Sequence, residues 1–327
     1  MPRYGAQTFY FGDIKTTHSA PLARNPKPGI HWFVDPQNGS DTAGANTGRS
    51  WAAAKATMDA VFDEATFGDG DTIYLTGVLR EHASTPTHYT STTRYVHDVS
   101  IVGVGNRPRQ ALTGSTHNGA GATWMSPATP TNTSPLLIVN GQGWHFENIY
   151  FNNAATSAAC INLLRTDDTV EEDASHARFV NCIFTGETAG IDAEGGPNFV
   201  EIDNCEFFNF SDSGDAAIKY TVGEGVGSHL MWKIVNNVFV NNDRHIVVPL
   251  GHSFIKGNRF GYVGADVTTT IQISVDGGSN RNVIMDNYFE VAHDQSGTAT
   301  MFLPQTTTNS WLNYYRGGQT ALVPATA

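Results

Sequence analysis

The sequence predicts an all-β chain wound as a parallel solenoid, and three observations predict it. The first is composition. Across 327 residues only 15% are charged, and 33 are glycine, against about 25% charged in ordinary soluble proteins. Runs of Thr, Asn and Ser recur, as in chains built from many short strands and turns. The second is a repeat. Phe151, Phe184, Phe207, Phe239, Phe260 and Phe289 are each preceded five residues earlier by Phe146, Phe179, Ile202, Ile234, Ile255 and Ile284. The third is the residue three before each anchor: Asn148, Asn181, Asn204, Asn236, Gly257 and Asp286. All are types that tolerate a left-handed backbone.

Such a unit is two short strands joined by a sharp corner. The corner re-aims the chain at one interior, and a single unit cannot bury its own apolar face, so units must stack. The intervals of 33, 23, 32, 21 and 29 residues place insertions at the other corners. Roughly ten coils over residues 30–303 would make a rod of about 48 Å at ~4.8 Å per rung.

Residues 1–29 read as an arm. Pro21, Pro26 and Pro28 interrupt it, and Arg3, Lys15, Arg24 and Lys27 face Asp13 alone. The arm is thus +3, and the remainder of a chain of net charge -12 is -15. Tyr4, Phe9, Tyr10 and Phe11 make it more aromatic than a disordered leader. His31–Val34 is a short strand, and Asp35–Asp41 is turn chemistry. Ser50 then starts an expected helix to Ala65, with Trp51, Ala54, Met58, Val61 and Phe62 on one face. Thr72–Leu75 is the next strand. Residues 83–98 and 106–134, rich in Thr, Ser, Pro, Asn and Gly, read as loops on a regular body. Residues 304–327 form an aromatic tail, a cap or assembly element.

Several function classes are set aside. The acidic balance argues against a nucleic-acid backbone as partner. No apolar run approaches a membrane span, and no secretory leader is visible at Met1–Gly5. Three cysteines, Cys160, Cys182 and Cys205, cannot all pair and lack metal-ligand spacing.

The segment Trp32-Phe33-Val34-Asp35-Pro36, with Asn38-Gly39-Ser40-Asp41, Ser50-Trp51 and Gly70-Asp71-Thr72-Ile73-Tyr74-Leu75, resembles the opening of pectate-lyase-like right-handed β-helix proteins. The Asn-(Cys/Asn)-x-Phe corners resemble the same superfamily. The resemblance covers about residues 30–303 and implies a single right-handed parallel β-helix with an N-terminal capping helix. That fold hosts polysaccharide lyases, hydrolases, esterases and phage spikes, so it implies no one chemistry. The ending Trp311–Gly318 with Val323-Pro324-Ala325 is similar to tails of phage-encoded β-helix proteins.

No catalytic motif of those branches matches. Asp167-Asp168, Gly251-His252-Ser253 and Ile255-Lys256 echo polygalacturonases, but no Asn-Thr-Asp element precedes them. The acidic run Asp167, Asp168, Glu171, Glu172 and Asp173 lacks Ca²⁺-loop spacing and reads as a solvated loop. No cofactor or metal is expected; Ca²⁺ is the one ion that run could serve. The better candidate is an outward polar face on successive coils. Asp192, Lys219 and Gln272 are expected to stack, with Ile191, Ile218 and Ile271 pointing in. Glu194, Asp215, Asp243, Arg244 and His245 extend the stripe, whose mix suits sugar hydroxyls or acid/base chemistry. The plain alternative is an ordinary solvated outer face. Inside, Cys182, Cys205, Asn237, Asn258 and Asn287 share one corner position, a structural ladder of free thiols and stacked amides.

Two function classes are expected from these readings. One is a virion surface protein of a tailed phage: a capsid decoration, spike or fibre component made in the host cytoplasm, a homotrimer held through residues 1–29 or 304–327, with glycan as a partner. The other is a lyase or hydrolase of an acidic polysaccharide.

Overall fold

The computed structural model describes residues 29–42, 47–84, 87–88, 94–105, 121–165, 173–210, 215–221, 229–261, 271–275, 281–289, 300–303, 309–311 and 314–315. These residues form a right-handed parallel β-helix with three long sheets. The first has ten strands: His31–Val34, Thr72–Leu75, Ser100–Gly103, His145–Glu147, Arg178–Val180, Glu201–Asp203, Lys233–Val235, Phe254–Lys256, Val283–Met285 and Asn309–Trp311. The second runs from Val78–Arg80 to Tyr314–Tyr315 in nine strands. The third has seven: Leu137–Val139, Ala159–Leu164, Ala189–Glu194, Ala216–Thr221, Arg244–Val247, Ile271–Ser274 and Thr300–Leu303. Every pairing within them is parallel and in sequence order, so from Leu137 onward successive coils visit the three sheets in turn.

The repeat sets this register. Between the first and second sheets, Asn148, Asn181, Asn204, Asn236, Gly257 and Asp286 all sit at φ of 54–69°. One left-handed residue turns the chain sharply, and the anchors then fall in line. Phe151, Phe184, Phe207, Phe239, Phe260 and Phe289 pair rung to rung. Their rings stack at 4.8–5.1 Å. Phe146, Phe179, Ile202, Ile234, Ile255 and Ile284 form a second fully buried column. The parallel repeat thus converts one apolar position per coil into a continuous core.

The ladder lies beside that corner. The backbone N–H and Nδ2 of Asn237 donate to Oδ1 of Asn258, at 2.9 and 3.0 Å. Asn258 does the same to Asn287, at 3.0 Å for both bonds. The backbone N–H of Cys205 donates to Oδ1 of Asn237 at 2.7 Å. All three cysteines are buried and free, and burial pushes the Cys160 thiol up to about 12.

The expected helix from Ser50 to Ala65 does not form. The segment holds one 3₁₀ turn, Trp51–Ala53, and one α turn, Asp59–Phe62. Ser50 makes no side-chain cap, and Ala54 is already extended. The backbone of Lys55 instead pairs with the first strand, its N–H donating to the Phe33 carbonyl at 2.9 Å and its carbonyl accepting from Asp35 at 2.8 Å. An edge strand left open would expose its donors and acceptors, and this pairing covers it at the cost of the helix. Met58, Val61 and Phe62 are buried as the helical face required, while Trp51 is 42% exposed. The short α turn is capped from a distance: Oε1 of Glu81 accepts the Met58 N–H at 2.8 Å. Burial pushes the Glu81 carboxyl up to about 7. Asp71, also nearly enclosed, ties the same end together by accepting from the Ile30 N–H, Trp32 Nε1 and the Gly68 N–H.

The coil also runs past the expected boundary at 303. Trp311 pairs with Met285, and Tyr315 with Phe289, extending the first and second sheets. Residues 1–28 of the arm and the rest of the tail lie outside the described residues.

Candidate functional site

The third sheet carries the site on its outer face. Its inward column is Leu137, Ile161, Ile191, Ile218, Ile246 and Ile273. The residue after each inward Ile points out, so Asn162, Asp192 and Lys219 lie side by side on consecutive rungs. Two positions further on, Glu194 lies beside Thr221. Five polar side chains from three coils therefore meet at the downstream end of these strands.

Asp192 is the centre of the group. Its Oδ2 accepts the Thr221 hydroxyl at 2.8 Å and faces the Lys219 ammonium at 3.6 Å. Its Oδ1 is enclosed and has no hydrogen-bond partner among the described residues. The side chain as a whole is only 8% exposed. Burial holds its carboxyl above the usual aspartate range, against the pull of Lys219 and Thr221, and Glu194 pushes it the same way as burial. Glu194 is itself held by Asn162, whose Nδ2 donates to Oε2 at 3.0 Å. Next to the group, His229 is buried edge-on between Tyr220 and Trp232, both at 5.8 Å. Burial lowers its imidazole to about 4, so it is neutral at ordinary pH.

The rest of the expected stripe falls elsewhere. Asp215, Asp243 and Arg244 gather at the upstream end of the strands. Arg244 Nε faces Asp243 Oδ2 at 3.8 Å and donates to the Asp215 carbonyl at 3.4 Å. Lys219 pairs with Val247, three residues beyond Arg244, so the two groups are about 10 Å apart along the strand. His245 is not on the outer face. It is fully buried, 5.7 Å from the Phe239 ring and 5.2 Å from that of Phe260, with Asn242 Nδ2 3.1 Å from its Nδ1. It occupies the register position of Gly190 and Ala217. That position abuts the Phe stack, since a Cβ on Gly190 would stand 2.9 Å from the Phe207 ring. Gln272 does not stack with Asp192 and Lys219, because Ile273, not Ile271, aligns with Ile246. Gln272 takes the register of His245, and Ser274 that of Val247.

Asp167, Asp168, Glu171 and Glu172 lie outside the described residues. Asp173 is not simply solvated: it faces Arg165 at 3.8 Å, accepts from Gln142 Nε2 at 2.8 Å and caps the Ser175 N–H at 2.9 Å. Among the described residues, no group of three or more His, Cys, Asp or Glu side chains is placed to hold a metal ion.

A second polar column was missed from the sequence. On the outer face of the first sheet, His145 faces Glu147 at 3.4 Å, and Glu201 joins Arg178 at 3.2 Å and Lys233 at 2.6 Å. Beside them Asn204 donates to Asn181 at 2.6 Å and Asn236 to Asp203 at 3.2 Å. The signal was present, since these residues flank the apolar position of each repeat. Apart from His145 and Glu147, which share a strand, this column pairs its polar groups across rungs, the usual way a sheet stabilises polar neighbours.

No family model matches the chain, and no curated protein matches it. Solved structures do. The pectin methylesterase from carrot is similar with a TM-score of 0.46 and 12% identity, over 91% of this chain and 84% of that one. The pectate lyase Pel9A gives 0.41 and 10%, over 88% and 80%. The Dettilon tailspike protein gives 0.33 and 14%, over 76% and 56%. These are likenesses of fold, and one fold hosts many chemistries.

Proposed function

We propose that this chain is a glycan-binding β-helix on the surface of a phage particle, as a decoration, spike or fibre component. The observation that supports the glycan part is Asp192. An almost enclosed carboxylate with one oxygen unpartnered is rare in a folded chain, where buried polar atoms are nearly always satisfied. Here it sits among an ammonium, a hydroxyl, an amide and a second carboxylate. That set both donates and accepts, as sugar hydroxyls require. The particle part is supported by the sequence: a basic aromatic arm on an acidic body, and a tail similar to those of phage-encoded β-helix proteins. On this reading the chain is made in the host cytoplasm, assembles as a homotrimer and meets other particle proteins through residues 1–29 or 304–327.

The test is binding to bacterial surface polysaccharides with the full chain and with Lys219→Ala. Saturable binding that weakens at least tenfold in the variant is expected; undiminished affinity would overturn the reading. Deleting residues 1–29 should leave the β-sheet circular dichroism intact and abolish co-assembly with particle proteins. Retained co-assembly would move the anchor to residues 304–327.

A second reading is cleavage of an acidic polysaccharide, favoured by the raised Asp192 carboxyl, which suits a proton donor. Reducing ends or unsaturated product that appear with wild type and vanish in Asp192→Asn would establish it.

A further inference from the structure

Asn162 and Asp192 hold equivalent places on consecutive coils, because Ile161 and Ile191 before them pair in register. Their backbones are therefore about 4.8 Å apart, and their side chains leave the same face side by side. Oδ2 of Asp192 is turned to the following coil, where it accepts the Thr221 hydroxyl at 2.8 Å. Its Oδ1 is thus turned to the preceding coil, the one that carries Asn162. Nδ2 of Asn162 donates to Glu194 Oε2 at 3.0 Å, two residues past Asp192. That leaves Oδ1 at the end of the amide toward Asp192. Both of these oxygens are enclosed, and neither has a hydrogen-bond partner among the described residues.

Two enclosed oxygens on adjacent rungs are costly unless a donor stands between them. An amide carbonyl and an ionised carboxylate only accept, and leaving either unpaired forfeits its hydration. The neighbouring cations are engaged elsewhere. On the following coil, the Lys219 ammonium faces the other carboxylate oxygen at 3.6 Å, longer than the about 2.7–2.9 Å of an N⁺–H···O⁻ bond. On the preceding coil, the Arg165 guanidinium is turned to the Gly196 carbonyl at 2.9 Å and to Asp173 at 3.8 Å. On the same strand, Glu194 adds a negative charge. His229, buried nearby, is neutral at ordinary pH. A carboxylic acid has the missing donor, since its O–H can bond an amide carbonyl. Asp192 is nearly enclosed, and burial holds its carboxyl above the usual aspartate range against Lys219 and Thr221.

We propose that in the free chain Asp192 is the neutral acid, its Oδ1–H donating to Oδ1 of Asn162, and that a ligand with neighbouring hydroxyls replaces this bond by donating to both oxygens. Asn162 is then the positioning residue of the group. Glu194 fixes its amide with the N–H end away from Asp192, so the end that meets Asp192 only accepts. On binding, the ligand O–H bonds to Oδ1 form, the Asp192 proton passes to solvent, and the carboxylate faces the Lys219 ammonium. Because a proton is released, binding tightens as pH rises through the Asp192 midpoint. Only the ligand's identity rests on the glycan reading; the proton's place is measured on the free chain, so the two fail separately.

The experiment is a ¹³C NMR pH titration of the full chain, labelled at the side-chain carbonyl carbons of Asp and Asn. Asp192 and Asn162 are identified by loss of their signals in Asp192→Asn and Asn162→Leu. The Asn162 carbonyl is expected to shift with the same midpoint as Asp192, and a flat Asn162 signal would overturn the proposal. Asn162→Leu keeps the burial and removes the acceptor, so it should weaken proton binding at Asp192 about tenfold. An unchanged or tighter hold on the proton would mean that burial alone is responsible, and would equally overturn it. The ligand half is read with methyl α-D-mannoside, a neutral sugar with neighbouring hydroxyls. Its affinity should rise at least threefold from below to above the midpoint, and Asp192→Asn, a fixed neutral donor, should bind it weakly at every pH. Tighter binding below the midpoint, or none on either side, would sink the ligand half while leaving the proton assignment to the free-chain titration.

Discussion

The amide column inside the coil and the Asp192 group on the outer face of the third sheet are each centred on a buried polar side chain. Inside, Asn237, Asn258 and Asn287 are 0–1% exposed; the amides of Asn237 and Asn258 each bond the next rung, and all three donate to a backbone carbonyl. Outside, Asp192 is 8% exposed, but one of its oxygens has no partner among the described residues. The comparison teaches that buried polarity alone does not mark function. A satisfied column holds the fold together, and an unsatisfied group is set to receive something.

The largest expected effect is at the inside column. Asn258→Leu removes an acceptor shared by two Asn237 donors and a donor to the Ile234 carbonyl. Stranding those three groups costs roughly 1–3 kcal/mol each, or about 3–9 kcal/mol together. Denaturant unfolding measures it, and a loss under about 1 kcal/mol would break the comparison.

Asp192→Asn sharpens it from the other side. Burial raises the Asp192 carboxyl, so the folded chain holds that proton more tightly than the unfolded one. Stability should therefore fall as pH rises from the ordinary aspartate value through the raised one. The asparagine variant should lack that fall and be the more stable of the two above the window. Thermal unfolding across a pH series reads this, and parallel curves for the two proteins would mean that Asp192 is not perturbed by folding.

Cys205→Asn should cost less than about 1 kcal/mol in the same unfolding assay. The position is already bonded to Asn237 through its backbone, and a well-matched substitution usually falls in that range. A cost near that of Asn258→Leu would show that thiols and amides are not interchangeable on the ladder. The smallest effect is expected for Asn38→Leu, about 0.5–1 kcal/mol. Its exposed amide donates to Asp35 at 3.0 Å, within the same turn.

Legibility followed distance along the chain from the corner. The left-handed corner, the Phe stack and the ladder positions all lie within six residues of one another in each repeat. Local sterics decide them, so Asn181 or Asn236 announces its own φ. Gln272 was misplaced because side chains in a strand alternate with period two. A slip of two residues exchanges Ile271 for Ile273 without changing which side is apolar. His245 was misplaced because its polarity suggested solvent, while the Asn242 amide and the Phe239 and Phe260 rings provide for it inside.

By itself, then, the sequence determined the coil: one apolar anchor and one left-handed residue per turn, with an amide or thiol beside them from Cys182 onward, suffice to define how the chain bends and what it buries. Only the tertiary structure decided which outward residues meet. The span from each corner to the third sheet varies in length, and register there is set by pairing with the coil before it. Asp192, Lys219 and Thr221 come together through that pairing, just as Trp51 joins Phe33 because the Lys55 backbone covers the edge of the first strand.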